Sequence, residues 1–211
     1  MRGVDFQTIC VALTGASGMA YSLRLIERLV LAERAVQILC SAAGRIVLAS
    51  EAQLKVPARS SDATRYLTAH FGAKVAQLQV FGEREWSAPL ASGTGVPDAM
   101  VICPCTMGTL ARVRAGSSGS LIERAADVVL KERRKLILVP RETPFSVIHL
   151  ENMLALARLG AVILPANPGF YFHPHTVPEL VDFVVGRILD HLHVAHELHP
   201  RWGLDAARED E

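Results

Sequence analysis

The residues able to do chemistry in this chain gather in a few short segments. Thr14-Gly15-Ala16-Ser17-Gly18 follows an apolar run and offers backbone that a ligand can approach closely, with the Ser17 hydroxyl near the start of a helix. Such a turn is a phosphate-cradle candidate, although it matches neither the GxGxxG nor the Walker pattern. Cys103-Pro104-Cys105-Thr106-Met107-Gly108-Thr109 repeats the logic, with two threonines able to cap a helix or to bind phosphate and ring polar atoms. Arg141 and Glu142 of PRETP stand beyond another apolar run, either as a salt bridge anchoring the loop or as part of an anion site.

Other charged and aromatic groups read more plainly. Glu123-Arg124-Ala125-Ala126-Asp127 and Lys131-Glu132-Arg133-Arg134 form a charged helix whose simplest reading is a solvated face. Tyr171, in a Pro/Gly loop, can shape an apolar pocket with a polar tip, and Arg187 lies along the next helix. Cys103-x-Cys105 lacks the further ligands zinc needs, and His173, His175, His191, His193, His196 and His199 read as solvated or capping side chains, so no metal is expected.

These segments need a scaffold. Apolar runs of strand length, without polar alternation, recur at 9–13, 36–40, 100–103, 136–139 and 161–164, which marks strands buried on both faces. Segments of helical period lie between them, at 21–32, 106–115, 123–132, 145–159 and 177–192. Alternation of this kind predicts an α/β fold: a three-layer parallel sheet with helices on both faces. Ligands then bind beyond the carboxyl ends of the strands, where the segments above fall. Residues 55–98 are the least regular, with a helix expected over 63–71.

Bulk properties bound the function. At 211 residues, half of them hydrophobic, residues 1–200 are expected to form a single domain, with 201–211 as a charged tail. A net charge of +1 supplies no long-range field for nucleic acid or an anionic membrane, so any anion must be held locally. No apolar run approaches the roughly 20 residues of a membrane helix, and the expectation is a soluble cytoplasmic protein. Four cysteines at 10, 40, 103 and 105 suit buried reduced thiols.

Assembled in order, TGASG, CPCTMGTL, ERAADVVLKERR, LVPRETP, HLENM, GAVILPANPGFYFHP and the VDFVVGRILDHL helix resemble the flavin prenyltransferases of the UbiX family, over residues 7–202. The resemblance implies a flavodoxin-like or Rossmann-like subunit of a dodecamer. It implies transfer of a dimethylallyl group from dimethylallyl monophosphate to N5 and C6 of reduced FMN, without a metal. The prenylated FMN would serve UbiD-type decarboxylases, including the one in ubiquinone biosynthesis. Carried over by position, Gly15, Ala16, Ser17, Ser41, Thr106, Met107, Gly108, Thr109 and Arg141 match FMN contacts. Arg124, Lys131, Tyr171 and Arg187 match the prenyl-phosphate site, which Glu142 helps complete, and Trp86 matches an aromatic wall beside the prenyl group.

The implied chemistry suits these residue types. Loss of phosphate leaves cationic character on the allylic carbon, which an aromatic face such as Trp86 stabilises, while Arg and Lys hold the departing phosphate. Ring closure at C6 releases a proton, and Glu51 with Ser17 is the expected relay. Two departures stand out: Thr106 replaces an expected serine, and residues 115–120 lack an asparagine. Two other readings share the fold, an FMN-dependent cysteine-type decarboxylase and a non-catalytic flavin-binding protein. The first leans on a catalytic histidine, and here the first histidine is His70.

Overall fold

The computed structural model describes residues 7–200, so the expected tail at 201–211 lies outside the described residues. Strands β1 (Thr8–Leu13), β2 (Ala35–Cys40), β3 (Leu78–Phe81), β4 (Ala99–Cys105), β5 (Lys135–Pro140) and β6 (Val162–Ile163) form one sheet. They are ordered β3-β2-β1-β4-β5-β6, and every pairing is parallel. Helices α1 (Met19–Leu31), α2 (Ala42–Ala52), α3 (Ser60–Phe71), α4 (Met107–Arg114), α5 (Leu121–Lys131), α6 (Val147–Arg158) and α7 (Val177–His191) complete the fold.

Successive strand residues point to opposite faces, and both faces are dry. Ile9, Val11 and Leu13 of β1 share one core with Leu25, Ile26 and Leu29 of α1 and with Val184 and Ile188 of α7. Cys10 and Ala12 face the other core, which holds Leu110 of α4, Ala126 and Val129 of α5 and Leu156 of α6. This is the expected three-layer architecture. Burial on both sides explains why the strands read as unbroken apolar runs.

The chain leaves β1 toward β2 and β3, then returns to β4 on the other side of β1. The order therefore reverses between β1 and β4, and the loops following these two strands flank the crevice where open α/β sheets bind ligands.

Three local expectations are corrected. Cys103, Pro104 and Cys105 belong to β4, with a cis Cys103–Pro104 bond, so the loop begins only at Thr106. Residues 78–81, within the segment read as irregular, form the edge strand β3, whose Val80 amide donates to Thr64 Oγ1 at 2.9 Å. The last strand is only two residues long. All four cysteines are buried and free. Burial pushes the thiols up, to about 12 for Cys10 and Cys103 and about 11 for Cys40. No helix among the described residues is long and apolar enough to cross a membrane.

Candidate active site

The turn after β1 is held by backbone geometry and by a hydroxyl. Thr14 Oγ1 donates to the Pro104 carbonyl at 2.6 Å and accepts from the Thr106 amide at 2.9 Å, tying the β1 and β4 loops together across the switch point. A Cβ on Gly15 would stand 2.6 Å from Ala43 Cβ, so the absent side chain lets α2 pack against the turn. Gly18 adopts φ +115, a conformation that disfavours any side chain, and opens α1.

Glu51, from α2, reaches the N-terminus of α1. Its Oε2 accepts from the Gly18 amide at 3.0 Å and from the Met19 amide at 2.9 Å. Burial raises the affinity of this carboxyl for a proton, but the Ser17 hydroxyl, these two amides and the charge of Arg141 outweigh it and hold Glu51 below the usual carboxylate range. The structure thus brings Ser17, Glu51 and Arg141 together. It also corrects the phosphate-cradle reading of TGASG. A carboxylate already takes the positive end of α1, and a phosphate there would face a like charge.

Of the two other helix starts after strands, α2 also meets a carboxylate, since its Ala42 amide donates to Glu83 Oε2 at 3.3 Å, and α4 remains for an anion. Ser41 caps α2, accepting from the Gly44 amide at 2.9 Å. Thr106 caps α4, accepting from the Thr109 amide at 3.1 Å and meeting the Thr109 hydroxyl at 2.9 Å. Met107 and Gly108 occupy the first turn of α4, whose amides have no intrahelical partner. Arg112 extends the network by reaching Thr109 Oγ1 at 3.4 Å. Its guanidinium also pairs with Glu123, which is 4 % exposed and accepts from the Gly119 and Ser120 amides at 2.7 and 3.1 Å. Glu123 is therefore an anchor of the 115–120 loop, which corrects the solvated-face reading for this residue. The spacing Ser120-x-x-Glu123 is a capping-box signature and was the available signal.

On the neighbouring face, Trp86, Ala91, Ser118 and Arg124 line an open concavity of about 430 Å³. Arg124 Nε donates to the Ala91 carbonyl at 3.0 Å, and its Nη1 pairs with Asp127 at 2.8 Å. Lys131 lies two turns along α5, paired with Glu132, and a Cβ on Gly93 would sit 3.2 Å from its Nζ. Trp86, Arg124 and Lys131 therefore share the rim formed by α5 and the 86–95 loop. Arg187 lies on α7 and pairs with Asp190 of the same helix at 2.9 Å. Tyr171 is exposed and packs edge-on against Phe183, with ring centroids 6.2 Å apart. Glu142 is exposed and accepts from the Thr143 amide at 3.2 Å. The histidine reading also needs correction: the His196 side chain is only 1 % exposed and sits 3.1 Å from Asp190.

The crevice presents hydrogen-bond donors to an anionic ligand. Among the described residues the Gly15, Ala16 and Ser17 amides donate to no protein acceptor, and Thr106, Thr109 and the start of α4 supply donors for a phosphate. A parallel sheet with these features at its switch point defines a flavin-binding class of protein. The Flavoprotein family model matches residues 4–189. A flavin prenyltransferase UbiX of Pseudomonas aeruginosa is 55% identical over 197 residues, covering 93% of this chain and 94% of that protein. The chain belongs to the UbiX flavin prenyltransferase family.

Solved structures agree. A crystal structure of AnUbiX (PadA1) in complex with FMN and dimethylallyl pyrophosphate superposes with TM-score 0.82 at 35% identity, covering 94% of this chain and 98% of that one. A dodecameric FMN-dependent UbiX-like decarboxylase from Escherichia coli O157:H7 gives TM-score 0.79 at 38% identity, covering 92% and 98%. The FMN-dependent cysteine decarboxylase TvaF, at 16% identity, shares only the fold.

Proposed function

We propose that this enzyme transfers a dimethylallyl group from dimethylallyl monophosphate to N5 and C6 of reduced FMN. The observation that carries this reading is the convergence of Ser17, Glu51 and Arg141 at the crevice between β1 and β4, beside amide donors that meet no acceptor among the described residues. Bound there, reduced flavin supplies the nucleophilic atoms; the chain's own residues orient it, hold the phosphate and move a proton.

Gly15, Ala16 and Ser17 present amides to the ring, with Ser41 and Arg141 alongside. Thr106, Met107, Gly108 and Thr109 hold the phosphate tail at the start of α4. Arg124, Lys131, Tyr171 and Arg187 bind the prenyl phosphate, and Glu142 exchanges a proton with it. Their cationic groups oppose the negative charge that builds on the leaving oxygen, and the half-exposed Trp86 turns its face to the allylic carbon. Glu51, held ionised, takes the proton released at C6 through the Ser17 hydroxyl.

Several of these groups act across subunit boundaries. Arg187 is engaged within α7, away from Lys131 on α5. The exposed side of α6 carries Val147, Ile148, Leu150 and Leu154, and Phe170 and Tyr171 are exposed in the loop before α7. Exposed apolar residues in such number are suited to burial against other copies, and a dodecamer is the assembly we propose. A cytoplasmic location and delivery of prenylated FMN to a UbiD-type decarboxylase, as in ubiquinone biosynthesis, complete the reading.

The donor is tested by offering dimethylallyl monophosphate and the pyrophosphate separately, under anaerobic conditions, with reduced FMN. Faster prenylation from the monophosphate, with release of orthophosphate, supports the proposal; preference for the pyrophosphate overturns that part of it.

A further inference from the structure

Beyond the flavin crevice, the segment after α7 turns back along that helix and brings Asp190, His196 and His199 together. Gly186 makes this possible. A Cβ there would lie 2.5 Å from His199 Nε2 and 2.9 Å from His196 Cε1, so only glycine leaves space for two imidazoles against α7. The two rings have centroids 5.3 Å apart. One donor atom from each of the three residues lies within 4.8 Å of the other two.

The tautomers matter. His199 Nδ1 lies 3.0 Å from the Pro200 carbonyl, which can only accept, so Nδ1 carries the proton and Nε2 presents a lone pair. That Nε2 is buried and has no hydrogen-bond partner among the described residues. A buried acceptor left unmet is unfavourable, and a backbone carbonyl on Nδ1–H is the arrangement that prepares Nε2 as a metal ligand. His196 Nε2 lies 3.1 Å from Asp190 Oδ1, and the Leu198 amide donates to its Nδ1 at 3.3 Å.

We propose that Asp190, His196 and His199 form a divalent-cation site of the zinc type that clasps the segment after α7 onto that helix. Two imidazoles and one carboxylate select a borderline cation; hard cations want an oxygen shell and Cu(I) wants sulfur. The ligands close inward by a small side-chain movement, and water supplies the fourth position. When the cation binds, the single proton of His196 passes from Nε2 to Nδ1, and the long contact from the Leu198 amide is given up. Asp190 Oδ2 keeps its bond from Arg187 Nη1, now as an outer contact that orients the carboxylate.

The test uses the full chain without a histidine tag, stripped with a chelator and titrated with Co²⁺ and then Zn²⁺. One Co²⁺ per chain, giving visible ligand-field bands that Zn²⁺ removes, is the expected result. His199→Ala lowers Zn²⁺ affinity by at least ~10-fold. Absence of bands, or bands and stoichiometry unchanged in a His196→Gln/His199→Ala variant, overturns the proposal. Should those variants fold poorly, nitrogen NMR of the wild-type chain decides. Zn²⁺ shifts two histidine Nε2 resonances if the site exists, and leaves them in place if it does not.

Discussion

Replacing Gly15 by alanine isolates one steric fact at the flavin crevice. Its φ lies outside the left-handed region, so alanine suits the backbone; the difficulty is a Cβ 2.6 Å from Ala43 Cβ. Comfortable carbon–carbon contact is about 3.5–4.0 Å, so the turn and α2 must separate by roughly 1 Å. Overpacking of that size costs about 1–3 kcal/mol. The separation also displaces the Gly15, Ala16 and Ser17 amides proposed to meet the flavin and weakens the contact of α2, through Glu51, with α1. Gly15→Ala should therefore lower the unfolding free energy in urea by about 1–3 kcal/mol and weaken FMN binding, followed by flavin fluorescence, by at least about 10-fold. Ala43→Gly alone costs about 1 kcal/mol as a helix substitution. Combined with Gly15→Ala, it removes the clash and should restore most of the lost FMN affinity. Additive effects in the double variant, or unchanged FMN affinity in Gly15→Ala, would refute the packing argument.

Other expectations follow from the same geometry. Glu51→Gln should give flavin that carries the prenyl mass but lacks the spectrum of the closed ring; normal closure at a normal rate counts against the proton relay. Because the folded state holds the Glu51 proton affinity below its usual 4.5, its stabilising effect is present above that value and lost as pH falls through the folded one. The stability gap between wild type and Glu51→Gln should thus be steady near neutrality and close below about pH 4.5, as urea midpoints across pH will reveal. Arg187→Ala removes charge-assisted bonds worth about 1.5–3 kcal/mol, predicting about 10–150-fold weaker prenyl-phosphate binding with FMN binding nearly intact; loss of FMN alone would mean the residue serves another site. All four thiols should resist alkylation in the native protein and react after unfolding, since burial raises each above its ordinary range.

Much of the frame is legible in the sequence because β1, β2, β4 and β5 are buried on both faces and must be continuously apolar. β3 escapes notice for a physical reason: Leu78–Phe81 is four residues long, lies at the sheet edge and includes the exposed Gln79. β6 is two residues on the opposite edge, too short for a periodic signal. At the site, glycines and hydroxyls after strands announce ligand loops, and they mark Ser17, Ser41, Thr106 and Thr109 directly. Glu51 carries no such mark. Its role as the cap of α1 depends on how α2 packs against Gly15, a long-range contact that no local pattern encodes. The same holds for His196, which resembles any polar histidine until Gly186 and Asp190 are seen beside it.

The central claim is prenyl transfer to flavin at the crevice between β1 and β4. Incubation of the chain with reduced FMN and dimethylallyl monophosphate without oxygen, followed by mass spectrometry of the released flavin, tests it most directly. The expected product is a flavin heavier by one prenyl unit, formed only with the enzyme present. Recovery of unmodified FMN from protein shown to have bound it would contradict the account.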